Sequence, residues 1–346
     1  MAAKVTLKEI AREVGLSPTS VSLVLNNRPN KVSQINRERI RAVARKKHYI
    51  PNQIARSLVT QHSNTLGLIV PNIESRFFSS LAKNLEIRCR RRGYALFIMN
   101  ADDASSNDSE LVRLLLNRGV DGLLLVLSDE MSPNERLIED LSICPVPFVM
   151  IDRTIEGLRC DKVRFNSELG GYLATSYLLA RGHRRIACLV NTHSNTGRAR
   201  LAGYARAMAE FGVEVDPSRV LESDYYIADA YRASADLIGT DATGVFASSD
   251  NIALGLLKRL HECGRRCPRD ISLVSYDNSA ADALFEPALT SIEQSVDELS
   301  EHALELLFSR IAESAALSEP TPAVERVLPP RLVEKESVRV IERPRS

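Results

Sequence analysis

The sequence predicts two unlike parts: an N-terminal all-α module of three short helices, then an α/β body of two doubly wound parallel-sheet subdomains. Three observations lead there. Charge divides the chain, because residues 1–60 carry twelve Lys/Arg against three Glu, a balance of +9, which leaves −8 for the remainder of a chain whose total is +1. Apolar residues in the first 50 positions recur at helical spacing, whereas beyond residue 64 short apolar runs alternate with amphipathic stretches. A chain of 346 residues is also too long for one comfortable core.

Composition narrows the class. Apolar residues make up 44% and charged residues 26%, ordinary values for a soluble globular chain. The longest apolar runs, 122–127 and 146–151, fall far short of the roughly 18 residues of a membrane span. Lys4, Lys8, Glu9, Arg12 and Glu13 leave no apolar core for a secretory signal. Six cysteines without paired spacing read as reduced thiols. Membrane, secreted and disulfide-scaffold classes are excluded, and a cytoplasmic location is expected. The basic N-terminal segment points to a polyanion as partner, attached to a body with another task.

Thr6-Leu7-Lys8-Glu9 has capping-box form, with a hydroxyl at the N-cap and Glu three residues on. Leu7, Ile10, Ala11 and Val14 then share one helix face, and Gly15 ends it. Ser17-Pro18 opens a second helix as N-cap and first residue, its buried side formed by Val21, Val24 and Leu25. Ser33 opens a third, with Ile40, Val43 and Ala44 inward and basic residues outward. Two short helices joined by a glycine-containing turn, with a supporting third, make a helix-turn-helix. Its second helix would offer Pro18, Thr19, Ser20, Ser22 and Leu23 to the major groove, where hydroxyls bond phosphates or base edges.

Two segments carry a family resemblance. VTLKEIAREVGLSPTSVSLVLN (5–26), followed by YIPNQIARSL (49–58), resembles the lac repressor/galactose repressor family of bacterial transcription regulators. The resemblance implies that Pro18 and Thr19 largely set operator preference. It extends the DNA contacts to Thr6, Leu7, Ser17, Asn26 and Arg28. Leu23 departs from the family pattern, which has Arg there; leucine cannot read guanine, so a thymine methyl is the expected contact. Residues 51–61 read as a hinge segment, with Asn52 as cap and Ile54, Ala55, Leu58 and Val59 on one face. So short a helix is unstable alone in water. In the family, paired hinge helices enter the minor groove and a leucine matching Leu58 wedges between base pairs, which implies contacts from Asn52, Ala55, Arg56 and Leu58.

In the body, candidate strands lie at 66–70, 95–99, 122–127, 148–151, 186–190, 220–222, 244–247 and 271–275. Helical stretches between them include 78–92, 110–117, 168–180, 198–211 and 252–263. Such alternation predicts parallel sheets covered on both faces, with ligand held beyond the carboxyl ends of the strands. The body resembles the periplasmic sugar-binding-protein fold that the family uses for effectors, in which the chain crosses three times between subdomains. Crossings are expected near Asp161, Ser291 and Ala323. The domain boundaries that follow are 1–50 for the helix-turn-helix, 51–61 for the hinge and 62–346 for effector binding and dimerisation. Within the last, one subdomain takes 62–161 and 292–323, the other 162–291 and 324–341.

Polar residues follow the strands: Asp152-Arg153, Asn166, Asn195, Thr196, Arg198, Asp250-Asn251 and Asp277-Asn278. Asp, Asn and Arg can hold vicinal hydroxyls in pairs, and an aromatic can lie on the apolar face of a sugar or on a base. Phe78, Arg200, Tyr225, Asp250 and Asp277 resemble effector contacts of the family, and the strand-end residues Asp152 and Asn166 complete the expected effector set. Arg200 and Asp277 lead it, because NTGRARLAGY (195–204) and SYDN (275–278) match family segments. For any one strand-end Asp or Asn, capping the next helix is the alternative role.

His261, Cys263 and Cys267 lack paired zinc spacing, and no GxSxG, HExxH or P-loop occurs. No catalytic residue, metal or cofactor is assigned, and the chain is read as a non-enzyme. It ends soon after the body without a heptad extension, so a homodimer reading a pseudo-palindromic operator is expected. The reading is a dimeric transcription regulator, a repressor, whose operator affinity follows a sugar or sugar phosphate in the cleft. A purine or nucleoside effector is the alternative, then a solute-binding protein; an enzyme with a doubly wound domain would need a nucleotide fingerprint that is missing.

Overall fold

A computed structural model describes residues 5–26, 29–49, 62–128, 135–279, 286–316 and 321–341. The chain divides into two compact units, Met1–Ser63 and Asn64–Ser346. Arg28 and the hinge residues Asn52, Ala55, Arg56 and Leu58 lie outside the described residues.

In the first unit, α1 (Leu7–Val14), α2 (Pro18–Leu25) and α3 (Gln34–Lys46) enclose Ile10, Ala11, Val14, Val21, Val24, Ile40 and Ala44. Each helix begins where a hydroxyl can replace the missing carbonyl partners of its first amides. The Thr6 and Glu9 amides each donate to the other's side chain at 3.3 Å, Ser17 Oγ accepts from the Ser20 amide at 3.1 Å, and Ser33 Oγ from the Asn36 amide at 3.4 Å. Gly15 sits at φ 67°, a left-handed turn that glycine adopts without strain and that lets α2 start three residues later. Arg37 pins the preceding loop by donating to the Val32 and Asn30 carbonyls at 2.9 and 3.0 Å.

The second unit holds, among the described residues, two six-stranded sheets. The strands are β1 (Thr65–Val70), β2 (Ala95–Asn100), β3 (Gly122–Leu125), β4 (Phe148–Ile151), β5 (Asp161–Phe165), β6 (Ile186–Val190), β7 (Val220–Glu222), β8 (Gly244–Ala247), β9 (Ser272–Asp277), β10 (Thr290–Glu293), β11 (Glu325–Leu328) and β12 (Arg331–Val333). The first sheet runs β11-β5-β4-β3-β1-β2, the second β12-β10-β9-β8-β6-β7, and only the β10–β12 pair is antiparallel. The helices are α4 (Arg76–Arg91), α5 (Ser105–Asn117), α6 (Glu135–Ser142), α7 (Ser167–Ala180), α8 (Asn195–Glu210), α9 (Ile227–Ile238), α10 (Asp250–Glu262) and α11 (Val296–Ala315). Each sheet has an apolar cluster on either face, as parallel strands buried on both sides require.

The crossings between sheets come three to six residues later than the sequence suggests. β5 and β11 belong to the first sheet and β10 to the second, so the chain passes over at Asn166, at Gln294 and at Pro329-Pro330. Asp161, expected at a crossing, is instead buried at the start of β5. It receives Arg310 Nε and Nη2 at 2.7 and 2.8 Å and the Val324 amide at 2.8 Å, which fixes α11 and β11 to the first sheet. β2 is also not covered on both faces: it is an edge strand, with Phe97 43% and Ile98 41% exposed.

Candidate functional site

The helix-turn-helix presents the N-terminal end of α2 outward. Pro18 and Thr19 are exposed, and Ser20, Ser22 and Leu23 are partly buried. Ser17 Oγ also meets Ser20 Oγ at 2.9 Å, so this pair of hydroxyls forms part of the helix start. Asn26 turns its amide back on α2, donating to the Ser22 carbonyl at 2.8 Å and Ser22 Oγ at 3.3 Å. Thr6 is spent on the capping box and Leu7 packs on the core of the module. On α3, Arg39, Arg41, Arg45 and Lys46 are exposed, a basic face suited to phosphates.

In the second unit a narrow cleft, with about 50 Å³ of free interior volume, opens beyond the carboxyl ends of the strands of both sheets. From the first sheet come Asn72 after β1, Asp103 after β2, Asp152 and Arg153 after β4, and Phe78 on α4. From the second come Thr196 and Arg200 on α8, Tyr225 after β7, Ser249 to Asn251 around the start of α10, Asp277 at the end of β9, and Gln294 after β10. Asp103, Asp152 and Asp277, which all line the cleft, adopt φ of 51°, 61° and 89°, a left-handed backbone that non-glycine residues adopt at an energetic cost.

Arg200 is the central cation. It is 4% exposed, donates through Nη1 to the Ser248 carbonyl at 2.5 Å, and lies with its guanidinium carbon 3.7 Å from the Tyr276 ring centroid. Burial pushes the Asp152 carboxyl up, and Arg200 and Arg153 counter it. Asp277 is pushed up to about 7, by burial first and then by Asp250 and Asp152, against the pull of Arg200. Gln294 Nε2 donates to Asp277 Oδ1 at 2.9 Å. Arg200 Nε and Gln294 Oε1, a donor and an acceptor, are buried and have no hydrogen-bond partner among the described residues. The Ser248 and Tyr276 hydroxyls beside Arg200 likewise have no partner among the described residues, and burying such atoms unsatisfied is costly.

The structure brings Phe78, Asp152, Arg200, Tyr225, Asp250 and Asp277 to this one cleft. Asp250 is braced, accepting from Ser275 Oγ at 2.5 Å and from the Ser279 amide and hydroxyl at 2.7 and 2.9 Å. Asn166 does not join them. It caps α7, accepting from the Leu169 amide at 2.9 Å, and stands at the crossing after β5 rather than in the cleft. Sequence reasoning missed Asn72, Ser75, Arg76, Phe77, Asp103, Ser249, Ser279 and Gln294. Ser75-Arg76-Phe77 opens a helix directly after a strand, a signal that could have found it; Gln294 follows a strand too polar to recognise. Among the described residues no cluster of His, Cys, Asp and Glu could hold a metal ion.

Comparison with known proteins agrees with these two units. Residues 6–52 match the family of bacterial regulatory proteins of the lacI type, and residues 175–338 match the periplasmic binding protein-like domain. The HTH-type transcriptional repressor PurR of Vibrio campbellii is 35% identical over 88% of this chain and 92% of its own length. A LacI family transcriptional regulator of Enterococcus faecium, solved with bound ribose, is 31% identical with a TM-score of 0.70, covering 80% of this chain and 100% of that one. The lac repressor dimer bound to operator and an anti-inducer shares the fold at a TM-score of 0.83 and 24% identity, over 97% of this chain and 100% of that one.

Proposed function

Because the chain belongs to the lacI family of bacterial regulatory proteins, we propose that its cleft takes a small neutral sugar and that occupancy of the cleft sets operator affinity. It is a DNA-binding transcriptional repressor with a ligand-binding domain, the class of its relatives. It performs no catalysis and acts in the cytoplasm on a pseudo-palindromic operator. The solute-binding alternative leaves the helix-turn-helix without a task.

The observation that carries the effector reading is the pair of uncommitted buried atoms, Arg200 Nε and Gln294 Oε1. A hydroxyl accepts from the first and donates to the second, and a sugar offers several on one ring. Charge supports a neutral ligand: the lining has Arg76, Arg153 and Arg200 against Asp103, Asp152, Asp250 and Asp277, and so lacks the positive excess that a sugar phosphate requires. The ribose found in a relative 31% identical is consistent with that chemistry.

Effector binding alters DNA affinity only through unequal affinity for two arrangements of the protein. Two copies are needed to read two half-sites, and the apolar edge strand β2 supports a homodimer, since an edge with exposed Phe97 and Ile98 invites a cover. Titration calorimetry with D-ribose, D-glucose, ribose 5-phosphate, hypoxanthine and adenosine, followed by operator binding with each hit, tests the proposal. A free monosaccharide should bind, change operator affinity, and lose both effects in Arg200→Ala. Binding of the phosphate or the purines alone overturns it.

A further inference from the structure

Arg153 follows β4 at the place where the two halves of the body face each other across the cleft. Its side chain is 10% exposed. Nη1 donates to the carbonyls of Ser128 at 3.0 Å and Leu127 at 3.4 Å, and the Asp103 carboxylate lies 3.8 Å away. Held there, its guanidinium carbon sits 5.3 Å from the Phe78 ring centroid and 5.4 Å from that of Tyr225. Phe78 belongs to the half built on the first sheet and Tyr225 to the half built on the second. One cation is therefore shared between the aromatic side chains of opposite walls.

A nucleobase bound between aromatic walls gains most of its affinity from their faces. In this cleft the guanidinium already lies against both rings, so a base must displace it, removing the donor of the Leu127 and Ser128 carbonyls and the cation beside Asp103. A sugar draws its affinity from hydrogen bonds rather than from the two ring faces, so it has no need of the place that the guanidinium holds. Its ring is puckered and its oxygens can accept from the Arg153 N–H groups that bond no other described residue.

We infer that Arg153 determines the specificity of the cleft: it occupies the stacking position between Phe78 and Tyr225, bars flat heterocycles and selects a non-aromatic, polyhydroxylated ligand. The inference rests on the cleft being the effector site proposed above. It goes further in naming the residue that decides between the two effector classes and how it does so.

The test is titration calorimetry on the full-length protein and on Arg153→Ala and Arg153→Gln, with D-ribose as the sugar probe and hypoxanthine and adenosine as base probes. A cooperative thermal melt confirms that each variant is folded. Glutamine keeps a donor for the Ser128 carbonyl, so it preserves the fold if alanine does not. The parent should bind ribose and neither base. Both variants should lose at least about tenfold in ribose affinity and gain at least about tenfold toward a base. A parent that binds a base as tightly as ribose overturns the inference, as do variants whose preference between sugar and base is unchanged. If ribose binds no version of the protein, the sugar proposal fails by itself, while base binding gained or not gained in the variants still decides the role of Arg153.

Discussion

Tyr226 Oη donates to Asp103 Oδ2 at 2.5 Å, a hydrogen bond from the segment before α9, in the half built on the second sheet, to the loop after β2, in the half built on the first. Burial and the Asp103 carboxylate push the Tyr226 hydroxyl up to about 12, so it remains a donor throughout the physiological range. Asn72 Nδ2 also donates to this carboxylate oxygen, at 3.1 Å. The bond links the walls at the rim of the cleft, beside the Tyr225 and Arg153 contact.

A bond that exists only when the walls are close should strengthen ligand binding without touching ligand. Tyr226→Phe keeps the ring and removes the donor. Hydrogen bonds to charged groups contribute about 1.5–3 kcal/mol, but Tyr226 is 41% exposed, so about 1 kcal/mol and a roughly fivefold loss of effector affinity are expected. Unfolding free energy should change little. Equal effector affinity in calorimetry would mean that the bond does not contribute to closure.

Arg200 owes its position to glycine. A Cβ on Gly171 of α7 would overlap the Arg200 carbonyl oxygen, and one on Gly203 of α8 would overlap the Glu168 carbonyl oxygen. The two helices therefore pack backbone to backbone, with Arg200 at the contact. Gly171→Ala should force them apart, at a cost of about 2 kcal/mol in unfolding free energy, read from a lowered urea midpoint, and weaken effector binding by displacing Arg200. A variant with parental stability and affinity would show that the helices repack without loss.

The elements legible in the sequence are those whose local chemistry already dictates them. Thr6 and Ser17 announce their helices by capping, and the runs at 148–151, 186–190 and 244–247 are apolar enough to be strands on their own. β10 escaped because its buried Thr290 and Ser291 look like loop residues. Their hydroxyls find partners in distant segments: Thr290 Oγ1 accepts from the Lys335 amide at 3.0 Å, and Ser291 Oγ accepts from the Asn278 amide at 3.1 Å. With β10 unread, Gln294 had no strand end to mark it. Asp103 entered the cleft through a left-handed turn after an edge strand, which periodicity does not report. Asn166 shows the converse, since a strand-end asparagine serves as cap or ligand according to how remote segments assemble.

Asp277 links cleft chemistry to pH. Its folded value of about 7 lies above the roughly 4 expected for an unfolded aspartate, so between these limits the native state holds a proton that the unfolded chain has lost. Stability contributed by Asp277 therefore falls as pH rises through that window. Asp277→Asn removes the titration, so the variant should gain on the parent as pH rises from about 4 to about 7 and hold level above it. His183, whose buried imidazole is held below its usual value, acts in the opposite direction on the acid side but is common to both proteins. Melting temperatures of the pair across this range check it, and a pH-independent difference would refute it.

Leu23 gives the operator prediction. It sits on α2, partly buried, one helical turn after the exposed Thr19, on the helix proposed to enter the major groove. Leucine offers no hydrogen bond; its favourable contact is the thymine methyl, whereas arginine binds guanine O6 and N7 in pairs. Leu23→Arg should therefore convert one position of each half-site from thymine to guanine, a change of about 1–3 kcal/mol in base preference. Leu23→Ala should flatten the preference at that position and leave the rest of the site intact. Removing an exposed cation of α3 such as Arg45 should instead weaken all sequences alike and reduce the salt slope by about 1. Sequencing of operators selected by the parent and the three variants separates these cases. Guanine required by the parent at the position that responds to Leu23→Arg would remove Leu23 from base readout.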